Sequence, residues 1–511
     1  MNENASRAFA TEPEVRTAAG AVRGRRESGI AVFRGIPFAE PPVGALRFAA
    51  PRTVRRWDGV RQAVAYGPPP PQSGLFGMDT LAGHTDGEDW LTVNVWSPAP
   101  DPEAALPVMV WIAGGGYVFG TSGLPEYDGR RLAGHGVVLV TFNYRVGVEG
   151  FAQLDGAPAN RGLLDQIAAL RWVRDNIRAF GGAPDRVTVF GQSAGAGSIA
   201  ALMATERAAG LFRRAVAQSV PGTFFTPELA ADVAAACAGE LGLRPTVADL
   251  AGVEPALLAA AADAVVAGAG RRGARWGPVA YRRIPFSPVV DGDVLPVTPW
   301  QALADGSGRD VALLVGHTRD EHRLFTLIEG LLGQVTEEQA ETALRVLAPG
   351  PGGARGYREA FPSADPQELY ELVNADWLFR MPSLRLADAQ TAGGGRAHVY
   401  ELTWPAPGMG GSLGACHGLD VPLVFGNLDS GQPAVLLGET PSSEAEALSA
   451  EMRAAWTAFA AHGDPGWPGY DTGRRLVRLY GTHPAVGVYP EETSRSLWQD
   501  HVFTALPLFS R

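Results

Sequence analysis

Residues 187–198 read V-T-V-F-G-Q-S-A-G-A-G-S, placing Ser193 between Gly191 and Gly195. A serine so placed can act as a nucleophile in acyl transfer if three other groups lie near it. It needs a base to take its proton, an acid to orient that base, and N–H donors for the oxyanion. The Gly-x-Ser-x-Gly pattern recurs at Gly410-Gly411-Ser412-Leu413-Gly414, so the flanks have to choose between the two. Ser193 follows the β-branched run R-V-T-V-F and precedes A-G-A-G-S-I-A-A-L-M, which reads as strand, sharp turn and helix in immediate succession. Ser412 sits in P-A-P-G-M-G-G-S-L-G-A-C-H, a flexible loop with neither flank. Ser193 is the candidate nucleophile.

Gly114-Gly115-Gly116 follows the apolar run V-M-V-W-I. Three glycines can aim several backbone N–H groups at one point, because no side chain blocks the approach. In a chain with a nucleophile on a strand–helix turn, the acid and then the histidine follow the serine in order. That leaves His398, His417, His462, His483 and His501 as bases. His398 lies inside the strand-like run R-A-H-V-Y-E-L and reads as structural, whereas His417 lies in the Gly-rich loop G-A-C-H-G-L and can reach Ser193. Asp320-Glu321 directly follows the strand V-A-L-L-V-G-H-T, at a strand end where an acid belongs.

The elements that must carry these residues alternate between short apolar strands and helices, the pattern of an α/β sheet covered on both faces. Pro107–Ile112, Val137–Asn143 and Arg186–Phe190 are predicted strands, with Val311–Val315 and His398–Leu402 further on. Leu163, Leu164, Ile167, Leu170, Val173 and Ile177 recur at helical spacing within Asn160–Phe180. A last helix is expected over Ser443–Ala461, and loops at Pro68–Pro71, Pro349–Gly356 and Gly408–Gly414. Ala-rich helices from about Pro227 to Gly268 interrupt the rhythm and read as a cap.

All 43 Lys-or-Arg residues are arginine, which excludes a P-loop lysine, a Schiff-base lysine and a Ser-x-x-Lys pair. A formal charge of −11 argues against a nucleic-acid or anionic-membrane surface. Two distant cysteines, Cys237 and Cys416, make no disulfide framework, and no apolar run reaches the roughly 20 residues of a membrane span. A cytoplasmic, monomeric protein acting on a small molecule, without metal or cofactor, is the expectation.

The chain resembles the type-B carboxylesterases of the α/β-hydrolase fold, the group that includes cholinesterases, and within it the bacterial, para-nitrobenzyl-esterase-like branch. The resemblance runs through F-R-G-I-P-F-A-E-P-P-V-G-A-L-R-F at 33–48, E-D-W-L-T-V-N-V-W at 88–96 and G-G-G-Y-V-F-G at 114–120. It continues in F-G-Q-S-A-G-A at 190–196, G-H-T-R-D-E-H-R-L-F at 316–325 and A-C-H-G-L-D-V-P-L-V-F-G at 415–426. It implies one domain over 1–511, with a large central mixed, mostly parallel sheet flanked by helices and helical cap insertions near 227–268. It also implies ester hydrolysis by Ser193, Glu321 and His417, with oxyanion donors at the N–H groups of Gly115, Gly116 and Ala194. Ser219 falls where a serine supports the acid, and Arg47–Glu88 and Arg145–Asp165 resemble structural ion pairs. Phe225, Leu324 and Phe325 suggest an apolar pocket for short- to medium-chain acyl or aryl esters. The same residues would equally serve an acyltransferase, a lactone-forming cyclase or an amidase, while a non-catalytic partner-binding homologue would usually lack one of the three.

Three departures from the family stand out. Ala113 replaces a histidine or aromatic residue before the glycines. Gln192 replaces a glutamate before the serine. Pro70 and Trp90 stand where secreted relatives have bridging cysteines, and the segment Ser73–Gly87 between them is short and lacks the tryptophan of a choline seat.

Overall fold

The central strands are apolar at nearly every position, and their side chains divide strictly by parity. Val108, Val110 and Ile112 enter one core, while Met109 and Trp111 enter the other. Successive residues of a strand point to opposite faces, so a run buried on both faces requires a sheet covered on both sides. The computed structural model describes residues 12–74, 87–429, 431 and 433–510, and among them the sheet is of this kind. Most of the Ser73–Gly87 segment lies outside the described residues.

A small sheet is formed by β1 (Glu14–Arg16), β2 (Ala21–Arg23) and a later strand, β5 (Val60–Gln62). The main sheet begins with β3 (Arg25–Glu27), β4 (Ile30–Pro37) and β6 (Thr92–Ser97), and continues with β7 (Leu106–Ile112) and β8 (Val138–Phe142). Its centre is completed by β9 (Gly182–Gln192), β10 (Arg214–Gln218), β11 (Ala312–Thr318) and β12 (Ala397–Leu402). Near the C-terminus come β13 (Leu476–Tyr480) and β14 (Ala485–Val488). The order across the 11 strands is β14-β13-β12-β11-β10-β9-β7-β8-β6-β4-β3. From β8 through β13 all neighbours are parallel, and antiparallel strands close both edges. This is the mostly parallel mixed sheet expected from the sequence.

Helices Arg161–Asn176 and Ala194–Ala204 pack their apolar residues into the core that holds Val110 and Ile112. Helix Ser443–His462 packs into the other, through Met452, Trp456 and Phe459. The segment expected to form a cap contains helices Pro227–Glu240, Val247–Leu250 and Pro255–Ala267. The loop expected at Pro349–Gly356 ends early, because helix Gly353–Ala360 begins inside it and buries Tyr357.

The fully buried Arg145–Asp165 pair forms as expected, with Nη2 to Oδ1 at 2.7 Å and Nε to Oδ2 at 2.8 Å. The Arg145 N–H also donates to Oδ2 at 3.0 Å, so one carboxylate anchors helix Arg161–Asn176 to the loop after β8. Arg47 does not pair with Glu88, which is exposed. Its guanidinium instead meets Glu149 at 2.6 Å and donates to the carbonyls of Ala251 and Val253. Three acceptors across two segments satisfy a planar fork better than one surface carboxylate would.

Removing one member of a buried ion pair leaves the other charge unpaired. Asp165→Ala should therefore cost about 3–5 kcal/mol in unfolding free energy, read from urea denaturation. A change below about 0.5 kcal/mol, the usual surface value, would contradict this role.

Candidate active site

In a parallel sheet all strands end on one edge, and the loops leaving that edge share a crevice. The candidate residues sit on such loops: Gly114–Gly116 after β7, Ser193 after β9, Ser219 after β10, Glu321 after β11 and His417 in the long loop after β12. Those strands are adjacent in the order β7-β9-β10-β11-β12, so residues 300 positions apart in the chain become neighbours.

Ser193 adopts φ 57°, ψ −125°, a region that a residue with a side chain enters only under constraint. The constraint is visible in its two glycines. A Cβ on Gly195 would lie 2.0 Å from the Ile112 carbonyl oxygen, and one on Gly191 would lie 2.7 Å from the same atom. Only hydrogen fits, so strand, turn and helix can reverse within three residues. The Ser193 N–H donates to the Gln218 carbonyl at 2.9 Å, tying the turn to β10. Ser412 lies exposed beyond a short 3₁₀ turn, its hydroxyl donating to the Met409 carbonyl.

The glycine loop lies directly against the turn: a Cβ on Gly114 would be 3.3 Å from Ser193 Cβ. Gly115 and Gly116 have φ of 115° and 59°, conformations open to glycine. The N–H groups of Gly115, Gly116 and Ala194 have no acceptor among the described residues. Where Ala113 lacks a side chain that could brace this loop, the Tyr144 hydroxyl donates to the Ala113 carbonyl at 2.7 Å.

Glu321 is fully buried and accepts three hydrogen bonds. His417 Nδ1–H donates to Oε2 at 2.5 Å, the Ser219 hydroxyl to Oε1 at 2.6 Å and the Thr318 N–H to Oε1 at 2.9 Å. Burial alone would raise its pKa; the imidazole and the other two donors outweigh burial and hold the carboxyl below its ordinary value. Asp320, its neighbour, points to the base loop instead. It accepts the Ala415 N–H at 2.8 Å and pairs in parallel with Cys416, so the acid and base loops are stitched together. His317 and His322 are closer to Glu321 in sequence but are bound elsewhere, to Tyr489 and Thr326. Burial lowers the pKa of His317 to about 4, so it stays neutral.

The ring of His417 is gripped by two aromatics. Phe379 stacks on it with centroids 4.2 Å apart, and Phe325 lies at 5.2 Å. Sequence reasoning missed Phe379. It sits in a π-helical turn, Asp376–Arg380, where the Met381 N–H reaches back to the Asp376 carbonyl and a buried Arg380–Asp376 ion pair spans 3.1 Å. Such turns have no periodic signature and often mark functional sites. Leu324 packs against the opposite core, and Phe225 is buried, with its backbone bridged to Val289 and Leu506. Both cysteines are buried free thiols, with burial pushing each pKa up to about 12. Among the described residues no cluster of three or more His, Cys, Asp or Glu side chains could hold a metal ion, and no helix is long and apolar enough to cross a membrane.

A hydroxyl on a strained turn, a buried acid bound to an imidazole, and free N–H groups beside the hydroxyl together suit nucleophilic acyl transfer. Comparison with known proteins agrees. Residues 11–349 match the profile of the carboxylesterase family. The chain is 37% identical to the para-nitrobenzyl esterase of Bacillus subtilis strain 168 over 497 residues, covering 95% of this chain and 98% of that protein. It is 36% identical to the phenmedipham hydrolase of Pseudarthrobacter oxydans over 509 residues, covering 96% and 99%. A crystal structure of a Geobacillus stearothermophilus carboxylesterase superimposes with a TM-score of 0.83 at 36% identity, covering 95% of this chain and 100% of that one. Solved structures of this kind identify the architecture as the α/β-hydrolase fold.

Phe379→Ala removes the ring under His417 and should lower kcat about two- to tenfold, the worth of one aromatic pair. An unchanged kcat would show that the stack does not position the base. Because the folded carboxyl of Glu321 lies below its ordinary value, its contribution to stability is present above about pH 4.3 and is lost as pH falls through the folded value. The stability gap between wild type and Glu321→Gln should thus be constant from pH 6 to 8 and shrink below about pH 4.3. A gap that widens with acid would reverse the sign.

Proposed function

Because the chain belongs to the carboxylesterase family and is a serine carboxylic ester hydrolase, we propose that it works through an acyl-enzyme formed on Ser193. His417 is the base, Glu321 fixes its tautomer, and the N–H groups of Gly115, Gly116 and Ala194 receive the oxyanion. The observation that carries this reading is the 2.5 Å Glu321–His417 bond on a loop pinned beside the serine turn. It commits Nδ1 to the acid and turns Nε2 outward as the proton acceptor.

In the first half-reaction Nε2 takes the Ser193 hydroxyl proton as Oγ bonds to the ester carbonyl carbon. The carbonyl π electrons move to oxygen, where the three N–H groups hold the charge. Collapse of this intermediate breaks the bond to the alcohol oxygen, which leaves with the proton from Nε2. Water then repeats both steps, releasing the acid and restoring Ser193. Each oxyanion donor is typically worth about 3–4 kcal/mol, so the glycine loop matters as much as the base. The substrates we infer are short- to medium-chain or aryl esters. Phe325 and Phe379 beside the base, and a relative named for a para-nitrobenzyl esterase, favour an apolar or aromatic group there. Two buried unpaired thiols favour the cytoplasm.

Hydrolysis of p-nitrophenyl acetate tests the assignment. Ser193→Ala and His417→Ala should each lower kcat by roughly four orders of magnitude or more, while Ser412→Ala retains the wild-type rate. Turnover retained in folded Ser193→Ala would contradict it. A panel of esters graded in chain length and aromaticity, compared by kcat/KM, defines the substrate class.

A further inference from the structure

Helix Arg161–Asn176 turns one face away from the core. Leu164, Ala168, Arg171 and Asp175 recur four and three residues apart, so they share that face, and all four line a cleft of about 380 Å³. The volume falls within the roughly 300–1,000 Å³ usual for small-molecule sites. The cleft is also lined by residues 50–56, whose backbone is fixed: the Glu40 N–H donates to the Arg52 carbonyl at 2.8 Å, and Thr53 bridges Ala39. Asn176, a further lining residue, accepts the Ala18 N–H at 2.8 Å and donates to the Trp172 carbonyl, tying the N-terminal segment to the helix. The apolar part of the lining comes from Ile167 and Trp172, which are buried, and from Leu164 and Ala168, which are partly so.

The charges on this lining do not balance. Four arginines, Arg52, Arg56, Arg171 and Arg207, face a single carboxylate, Asp175. Asp175 is paired with Arg174 at 2.8 Å, and Arg207 with Asp293 at 2.6 Å. Arg52, Arg56 and Arg171 are exposed and form no ion pair among the described residues. Three unpaired guanidiniums thus gather at an apolar cleft on a chain whose formal charge is −11. Like charges held together favour an anion between them, and the planar guanidinium fork matches a carboxylate. A bare anion would leave the apolar lining wet, and a neutral apolar molecule would leave the arginines unpaired.

We propose that this cleft binds an amphiphilic carboxylate, a single carboxylate head on an apolar chain. Arg52, Arg56 and Arg171 hold the head, and the chain lies along Leu164, Ala168 and Trp172. Neither Ser193, Glu321 nor His417 lines the cleft, so the site is additional to the acyl-transfer reading above. Carboxylic acids are the class of product that an ester hydrolase releases, so the enzyme's own chemistry can supply the ligand.

The test is a set of saturation-transfer NMR titrations with octanoate, acetate and octan-1-ol. Octanoate should bind about tenfold or more tightly than acetate, which lacks the chain, or octan-1-ol, which lacks the charge. Raising NaCl from about 0.05 to 0.5 M should weaken it. Arg171→Ala and Arg52→Ala/Arg56→Ala should each weaken octanoate about tenfold and keep the wild-type rate on p-nitrophenyl acetate, with folding checked by thermal denaturation. Ala168→Glu sets a carboxylate among the same arginines and should abolish octanoate binding, a second reading if an arginine variant fails to fold. Octanoate affinity unchanged in the folded variants would put the ligand elsewhere and overturn the proposal. Acetate binding as tightly as octanoate would reduce the cleft to a plain anion site, and octan-1-ol doing so would leave the arginines without a part; either result overturns it. No octanoate binding to wild type overturns it outright. The titrations read nothing from Ser193, so this proposal and the acyl-transfer reading fail separately.

Discussion

The structure depends on the absence of space around the β9 turn. Gly195, in the first turn of its helix, lies against the Ile112 carbonyl of the adjacent strand, and a methyl group there would occupy the same volume as that oxygen. The reversal fixes Ser193 at φ 57° and points it off the end of the sheet. It also brings the glycine loop after β7 against the serine, since β7 and β9 are hydrogen-bonded neighbours. The proposed nucleophile and oxyanion donors are thus set by one steric contact between two strands. The strain at Ser193 persists because the surrounding sheet over-determines it.

The proposed base, His417, is positioned by a different kind of force. Its loop packs Leu413, Cys416 and Leu419 into one of the two cores, and the imidazole itself is held by charge-assisted hydrogen bonds in a dry setting, where they are stronger than in water. Glu321 grips the imidazole, Asp320 grips the backbone one residue before Cys416, and Ser219 and Thr318 satisfy the remaining carboxylate oxygen. Phe379 then fixes the ring plane. Two consecutive acidic residues at one strand end therefore have separate tasks: one orients the side chain of the base, the other its main chain.

Much of this was legible in the sequence because it is local. The strand–turn–helix at Ser193, the glycine triplet and the Asp320-Glu321 pair at the end of β11 each announce themselves within about ten residues, and the resemblance chose Glu321 from that pair. The remainder depends on contacts that no window contains. β6 and β10 were not marked as strands because T-V-N-V-W-S and R-A-V-A-Q carry buried amides. Asn94 donates to Ser122 and Thr141, and the Gln218 side-chain oxygen accepts from the Trp456 indole N–H, 238 positions away. Phe379 was invisible because the π turn that aims it has no periodic signature, and the Arg380 beside it is held by Glu491, 111 positions away. Arg47 was given the wrong partner because Glu149, 102 positions away, is a neighbour only once the sheet has formed. His417 was one of five histidines on residue pattern, and the resemblance to a family, not spacing, singled it out.

The central claim is that the hydroxyl on this strained turn is the atom that takes the acyl group. Trapping it covalently tests that claim most directly. The wild-type protein is treated with a fluorophosphonate, digested and mapped by mass spectrometry. The account predicts one adduct per chain, on the peptide containing Ser193, and none on those containing Ser219 or Ser412. An adduct on either of those serines, or no adduct on an enzyme that hydrolyses esters, would contradict it.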